Sequence, residues 1–169
     1  MFKKKKDKEF EEKYNKYSKM LYQIAYLHTG SSEDAEDILQ ETFSKLLFKP
    51  PKFTDDEHEK AWLIRVTINK CYDINRSKNK CTTISIYDIE IQDTDLLDEN
   101  LDEIIDYIIN MPDIYKAPIY LFYYKQMPVK EIADTLNLSQ SAVKKRLQRG
   151  RQILKIELEE DLYEQEDIK

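Results

Sequence analysis

The chain has 169 residues, 41% hydrophobic and 36% charged, which suits one domain or two small helical cores. Two glycines in all argue against a turn-rich β fold, no apolar run approaches the length of a membrane span, and the basic start MFKKKKDKEFEEKY has no apolar segment behind it, unlike a secretory signal. The net charge of −6 conceals unequal blocks: residues 1–80 carry 17 Lys or Arg against 14 Asp or Glu, residues 81–113 none against 10, residues 114–156 carry 9 against 2, and the last thirteen carry 1 against 7. An acidic whole therefore contains a strongly basic module.

Phe10, Tyr14, Tyr17, Leu21, Ile24 and His28 follow one another at steps of four and three, which draws one core-facing stripe on a long first helix. Thr29 to Ser32 breaks that pattern. Ser31 with Asp34 three positions on predicts a capping box for a second helix, with Ala35, Ile38, Leu39, Thr42, Phe43, Leu46 and Leu47 pointing inward and Pro50 and Pro51 ending it. A polar loop, Lys52 to Glu59, leads to a third helix from about Lys60 to Arg76, with Ala61, Ile64, Ile68, Cys71 and Tyr72 as its buried stripe. Trp62, beside Ala61, is read as an anchor of that core, since a single tryptophan usually buries most of its area, the alternative being a ring on which a base could stack.

Ile84, Ile86, Ile89 and Ile91 then alternate briefly like a strand, but a lone strand has nothing to pair with in a helical chain. The segment is expected to be an extended acidic linker, followed by a helix from about Leu97 to Asn110. The next helix, Ile114 to Lys125, carries Ile119, Phe122 and Tyr123 and packs under the stretch MPVKEIADTLNLSQSAVKKRLQRGRQIL, Met127 to Leu154. That stretch sets two short helical patterns about a tight turn. Ile132, Ala133 and Leu136 form one apolar face, Asn137 tolerates the left-handed conformation of the turn, and Ser139 is the N-cap of the second helix. Val143, Leu147 and Leu154 recur there at helical spacing and leave Lys144, Lys145, Gln148 and Arg149 on the other side, a pattern suited to a DNA groove. An acidic tail follows from Glu157. The expected fold is all-α: a helical domain over residues 1–80, an acidic linker over 81–100, and a helix-turn-helix domain with its tail over 101–169.

Other chemistry finds little support. Cys71 and Cys81 have no second pair and His28 and His58 lie near neither in sequence, so neither zinc nor a disulfide is expected. Asp34, Asp37 and Glu41 sit at spacings suggestive of a magnesium site, but converging carboxylates from another element, a glycine-rich phosphate loop and a nucleophile with its base are all lacking. The expectation is a cytoplasmic protein that is not an enzyme and uses no cofactor.

Two separate stretches resemble one family. GSSEDAEDILQETF followed by EKAWLIRVTINKCYDINRSKNK is similar to the second conserved region of the extracytoplasmic-function (ECF) sigma factors of bacterial RNA polymerase, and MPDIYKAPIYLFYYKQMPVKEIADTLNLSQSAVKKRLQRGRQILK to their fourth. No third region is recognisable between them, as in the compact ECF group. The resemblance implies a subunit that directs core RNA polymerase to particular promoters and helps melt them. The alternatives are a stand-alone helix-turn-helix regulator that binds duplex operators, and a protein adaptor that never touches DNA.

By resemblance, Asp37, Gln40, Glu41 and Phe43 fall on positions that meet the clamp helices of the polymerase's large subunit, with Asp34 on the same acidic edge. Asp34 could equally serve only its own helix cap, and Phe43 has the spacing of a core residue. Asn69 matches the position lining a pocket for a flipped promoter base, where an amide offers both a donor and an acceptor. Lys60, Arg65, Lys70, Arg76, Lys78 and Lys80 would hold phosphates. Lys144, Lys145, Gln148 and Arg149 correspond to base and phosphate contacts in the upstream promoter element, and Arg146 and Arg151 to backbone grips. Gly150 replaces the family's usual alanine, which predicts a looser helix there, and Pro118 stands where relatives have a charge, bending that helix or forming its first turn. The acidic linker either runs through the polymerase channel or serves solubility. Relatives of this size are often restrained by an anti-sigma protein, so the implied partners are core polymerase, promoter DNA as duplex and melted strand, and such an inhibitor, with no membrane insertion of the chain itself.

Overall fold

The computed structural model describes the backbone of residues 2–79 and 104–167, and the side chains of residues 3–78 and 104–155. Lys80, Cys81, the isoleucine alternation at 84–91, the acidic linker, the start of the helix expected from Leu97 and the side chains of the acidic tail lie outside the described residues. Among those described there are seven α-helices and no strand: α1 (Phe2–Thr29), α2 (Ser32–Phe48), α3 (Asp56–Asn79), α4 (Ile105–Asn110), α5 (Asp113–Tyr123), α6 (Val129–Leu136) and α7 (Gln140–Asp167). They fall into two compact units, α1–α3 and α4–α7.

In the first unit the C-terminal half of α1 is the centrepiece. Tyr17, Leu21, Ile24 and His28 are buried as the stripe predicts, but so is every residue from Met20 to His28, because α2 and α3 both pack on this half. A helix that is hydrophobic on most sides is one enclosed on most sides. Tyr14 remains exposed at the edge, its ring against Phe43 at a centroid distance of 4.8 Å. Gly30 (φ 65°) turns the chain in the left-handed region, and its N–H donates to the Tyr26 carbonyl at 2.7 Å, closing α1.

Ser31 is the N-cap of α2, its hydroxyl accepting from Asp34 N–H at 3.2 Å. Only half of the expected capping box forms. The Ser31 N–H donates to Thr29 Oγ1, and the Asp34 carboxylate is taken by Lys78 of α3. Ala35, Ile38, Leu39, Thr42, Phe43 and Leu46 are buried, whereas Leu47, expected inside, is 46% exposed beside the still more exposed Phe48.

The third helix starts at Asp56, earlier than its apolar pattern suggests, which shortens the expected loop by four residues. The cap explains it: Asp55 Oδ1 accepts from His58 N–H at 2.7 Å, and Asp56, Glu57 and Glu59 place negative charge on the first turn. Glu59 is buried, and Lys13 of α1 donates to its Oε2 at 2.7 Å, pinning this turn to the bundle. The core side of α3 is Leu63, Ile64, Val66, Thr67, Ile68 and Cys71, with Ala61 and Tyr72 half-buried.

In the second unit α5 forms the floor. Its buried residues are Lys116, Ala117, Pro118, Ile119, Tyr120 and Leu121; Phe122 is only half-buried and Tyr123 is exposed, so the expected core face is shifted toward Tyr120 and Leu121. Pro118 lies within the helix, not in its first turn. It has no N–H to give the Ile114 carbonyl, which sits near the exposed start of the helix where another partner is accessible. Gln126 (φ 51°) makes the turn from α5 to α6, with Met127 N–H reaching back to the Leu121 carbonyl at 3.0 Å.

The two helices that follow match the pattern that announced them. Ile132 and Ala133 of α6 are buried, Thr135 takes an inner position and Leu136 is half-buried. Asn137 adopts the left-handed conformation (φ 55°, ψ 48°), and Ser139 Oγ accepts from Ala142 N–H at 3.0 Å at the head of α7.

Candidate functional site

Three exposed surfaces carry the residues singled out by sequence. The first is the outer face of α2. Residues 37, 40, 41, 44 and 48 recur at steps of three and four, so Asp37, Gln40, Glu41, Ser44 and Phe48 line one exposed side, opposite the buried Ile38, Thr42 and Leu46. Glu41 is also the ion-pair partner of Lys70 on α3. Asp34 is less available, being half-buried and engaged by Lys78. Phe43 does not lie on this face at all. It is 3% exposed, with Phe10 edge-on at 5.9 Å and Tyr14 at 4.8 Å, so its burial makes it a support for the face and not a contact within it.

The second surface runs along α3. Trp62, Arg65, Asn69 and Arg76 succeed one another at steps of three, four and seven and so share one stripe, on which Asn69 and Arg76 are exposed and Arg65 and Trp62 half-buried. Lys60 is half-buried near the head of the helix. The Trp62 ring meets Phe53 at 5.5 Å, and Phe53 in turn meets His58 edge-on at 5.6 Å. Three rings, one from the loop and two from α3, therefore stand at the upper end of the stripe. Trp62 is thus neither wholly core nor free. Phe53 escaped the sequence analysis, since a single aromatic in a polar loop shows no periodicity; its spacing from Trp62 across the capped turn was the available signal.

Electrostatically, α3 is a basic surface already answered by acids. Lys70 meets Glu41, Lys78 meets Asp34, and Arg76 meets Asp73 on its own helix. The more exposed of these, Lys70–Glu41 and Arg76–Asp73, contribute less than about 1 kcal/mol each and exchange readily, while Lys78–Asp34 is part-buried.

The third surface is the outer side of α7. Lys144, Lys145, Gln148 and Arg149 are all exposed, while Val143 and Leu147 are buried against the rest of the unit. A short helix, a left-handed Asn and a capped second helix place this basic side outward, the arrangement by which a helix enters a major groove. Arg149 Nη1 lies 3.4 Å from Gln152 Oε1, and Arg151 Nη1 donates to the Tyr123 hydroxyl of α5 at 3.1 Å.

Gly150 departs from its sequence-based expectation. It is buried on the same stripe as Val143 and Leu147, and a Cβ placed on it would lie 2.8 Å from Ile119 Cγ1 and 2.9 Å from Ile119 Cδ1. The glycine is a point of close helix approach and not a loose spot. Its position three residues after Leu147 was the legible clue.

Among the described residues no group of three His, Cys, Asp or Glu side chains is placed to hold a metal ion, and no helix is long and apolar enough to cross a membrane.

The family model for sigma-70 region 2 matches residues 14–81 and that for sigma-70 region 4 matches residues 101–154. The ECF RNA polymerase sigma factor SigM of Bacillus subtilis is 30% identical over 151 residues, 86% of this chain and 92% of its own length. RNA polymerase sigma factor SigV of the same organism is 29% identical over 151 residues, covering 83% of this chain and 86% of that protein. Among solved structures, the sigma factor RpoE of Bartonella quintana, crystallised with the anti-sigma factor NepR, shares the fold at a TM-score of 0.73 and 20% identity, over 90% of this chain and 98% of that one.

Proposed function

The chain belongs to the extracytoplasmic-function sigma factors of bacterial RNA polymerase, and from that premise we propose a division of its work between the two units. Residues 1–80 dock on core polymerase and open the promoter, residues 81–100 tether, and residues 101–169 choose the upstream element. The observation that carries this is the presence, in order in one chain, of both sigma regions, each with its polar functional face exposed over a separate apolar core.

Asp37, Gln40 and Glu41 supply an acidic, exposed face on rigid helix for a basic partner on the polymerase, and Phe43 holds that face up from beneath. Promoter opening requires a base to be unstacked, at a cost of a few kcal/mol, and held. The α3 stripe offers what that needs: the Asn69 amide to read a base edge, Arg65, Lys60 and Arg76 for phosphates, and the Phe53 and Trp62 rings at its head. Lys144, Lys145, Gln148 and Arg149 enter the major groove at the upstream element. Sigma factors are in general not enzymes, and this one performs no chemistry of its own; it acts in the cytoplasm where the polymerase is.

An anti-sigma protein is the natural regulator. It would cover the same exposed faces of α2 and α7 that the polymerase and DNA require.

Reconstitution tests this assignment. The full chain mixed with core RNA polymerase and a promoter library should yield specific transcripts. Binding of duplex DNA with no transcripts would instead identify a stand-alone regulator, and neither activity a protein adaptor.

A further inference from the structure

Glycine inside an α-helix is unfavourable relative to alanine, so its presence in the middle of α7 calls for a spatial reason. That reason is Ile119. This side chain is fully buried, β-branched and stiff at χ1, and its Cγ1 and Cδ1 would lie 2.8 and 2.9 Å from a Cβ on Gly150, with Tyr115 Cβ 3.6 Å from the same point. It cannot swing aside as the end of a long exposed side chain could. The next residue, Arg151, is fastened to the same helix from the outside by its hydrogen bond to the Tyr123 hydroxyl. Thus α5 holds α7 at two adjacent positions, one by contact and one by hydrogen bond, in the midst of Gln148, Arg149 and Arg151.

We propose that the Gly150–Ile119 contact sets the tilt of the recognition helix, which makes Gly150 a positioning residue for promoter discrimination. The inference rests on α7 being the helix that reads DNA. A Cβ at 2.8 Å must be relieved by roughly half an ångström or more, since ordinary contact begins near 3.4 Å. Base-edge contacts tolerate displacements of only about 0.5 Å. Lys144 lies six residues toward the head of the helix, about 9 Å along its axis, so a tilt imposed at Gly150 is carried to the side chains that read.

A propensity-only role and a positioning role predict opposite results. The full chain with core polymerase is tested on a duplex that the wild-type holoenzyme selects from a randomised library, and on a scrambled duplex, and the ratio of the two affinities is the readout. Gly150→Ala should lower that ratio about tenfold, the scale of one lost base contact, while binding to core polymerase is retained. Ile119→Ala removes both clashing atoms, so the Gly150→Ala, Ile119→Ala double variant should recover most of the loss. A wild-type ratio in Gly150→Ala, or a double variant as poor as the single, would overturn the inference. Should Gly150→Ala alone fail to fold, the double variant decides: a ratio near wild type supports the contact and a tenfold loss overturns it. Lys144→Ala, which removes a reading side chain without touching α5, separates this inference from the function beneath it. If Lys144→Ala lowers the ratio and Gly150→Ala does not, the inference fails alone; if neither does, both fall.

Discussion

The basic sides of α3 and α7 carry the same kinds of residue in different electrostatic states. On α3, Lys70, Lys78 and Arg76 each have a carboxylate partner, two of them supplied by the acidic helix α2. On α7, Lys144 and Lys145 have no ion pair among the described residues. Among the described residues, a phosphate approaching Lys144 and Lys145 has no carboxylate to displace, whereas one approaching α3 displaces one and gains correspondingly less. On the proposed assignment, the two faces differ in what a phosphate has to displace among the described residues. The melting face becomes ready when its acids find another partner.

The largest expected effect tests the support beneath α2. Phe43→Ala should destabilise the first unit by about 3–5 kcal/mol, followed in urea through Trp62, the single tryptophan, while the folded fraction keeps its affinity for core polymerase. A loss of that affinity without a loss of stability would return Phe43 to the contact surface. Next in size, Asn69→Ala should cut open-complex formation by about 1–3 kcal/mol, measured by permanganate reactivity of unpaired thymines, with polymerase binding intact; equal loss of both would assign Asn69 to structure. Lys144→Ala should weaken dependence on the upstream element by about 1 kcal/mol and leave opening at a promoter lacking that element unchanged.

The contrast between the two faces is sharpened by a smaller change. Glu41→Gln releases Lys70, so affinity for a single-stranded oligonucleotide should rise at low salt, by no more than about fivefold, and the gain should vanish in high salt. No gain at any salt would mean that the α3 cations were never restrained. Smallest is an alkaline effect confined to the first unit. Burial pulls the Lys13 ammonium down, but the hydrogen bonds and charges of Glu59 and Glu9 outweigh it and hold its pKa above the usual 10.5. Because the folded value is the higher, this stabilisation is fully present below the unfolded pKa and is lost as pH rises through the folded one. Lys13→Met should melt below wild type near pH 9, and the gap should close as pH rises through the raised folded pKa.

Much of the scaffold was legible because it is written locally. The Ser31 and Ser139 caps, the left-handed Asn137 and the outward basic side of α7 depend on residues close in sequence and stand in the structure as expected, and of the α1 stripe the part from Tyr17 to His28 is buried. The early start of α3 was equally local but masked, since Asp55 caps a first turn that is acidic and shows no apolar periodicity.

What the fold alone decided are the questions of which helix lies against which. Leu47 and Phe43 have equivalent apolar spacing, yet Phe43 is buried against the α1 rings of Phe10 and Tyr14 while Leu47 stays 46% exposed; Asp34 looks like half of a capping box, yet Lys78 takes it. Gly150 looks like a weak point until Ile119 fills the space beside it. Periodicity along a chain specifies which side of a helix is apolar, but the distance between two helices depends on side chains far apart in sequence, and that distance exists only once they have packed.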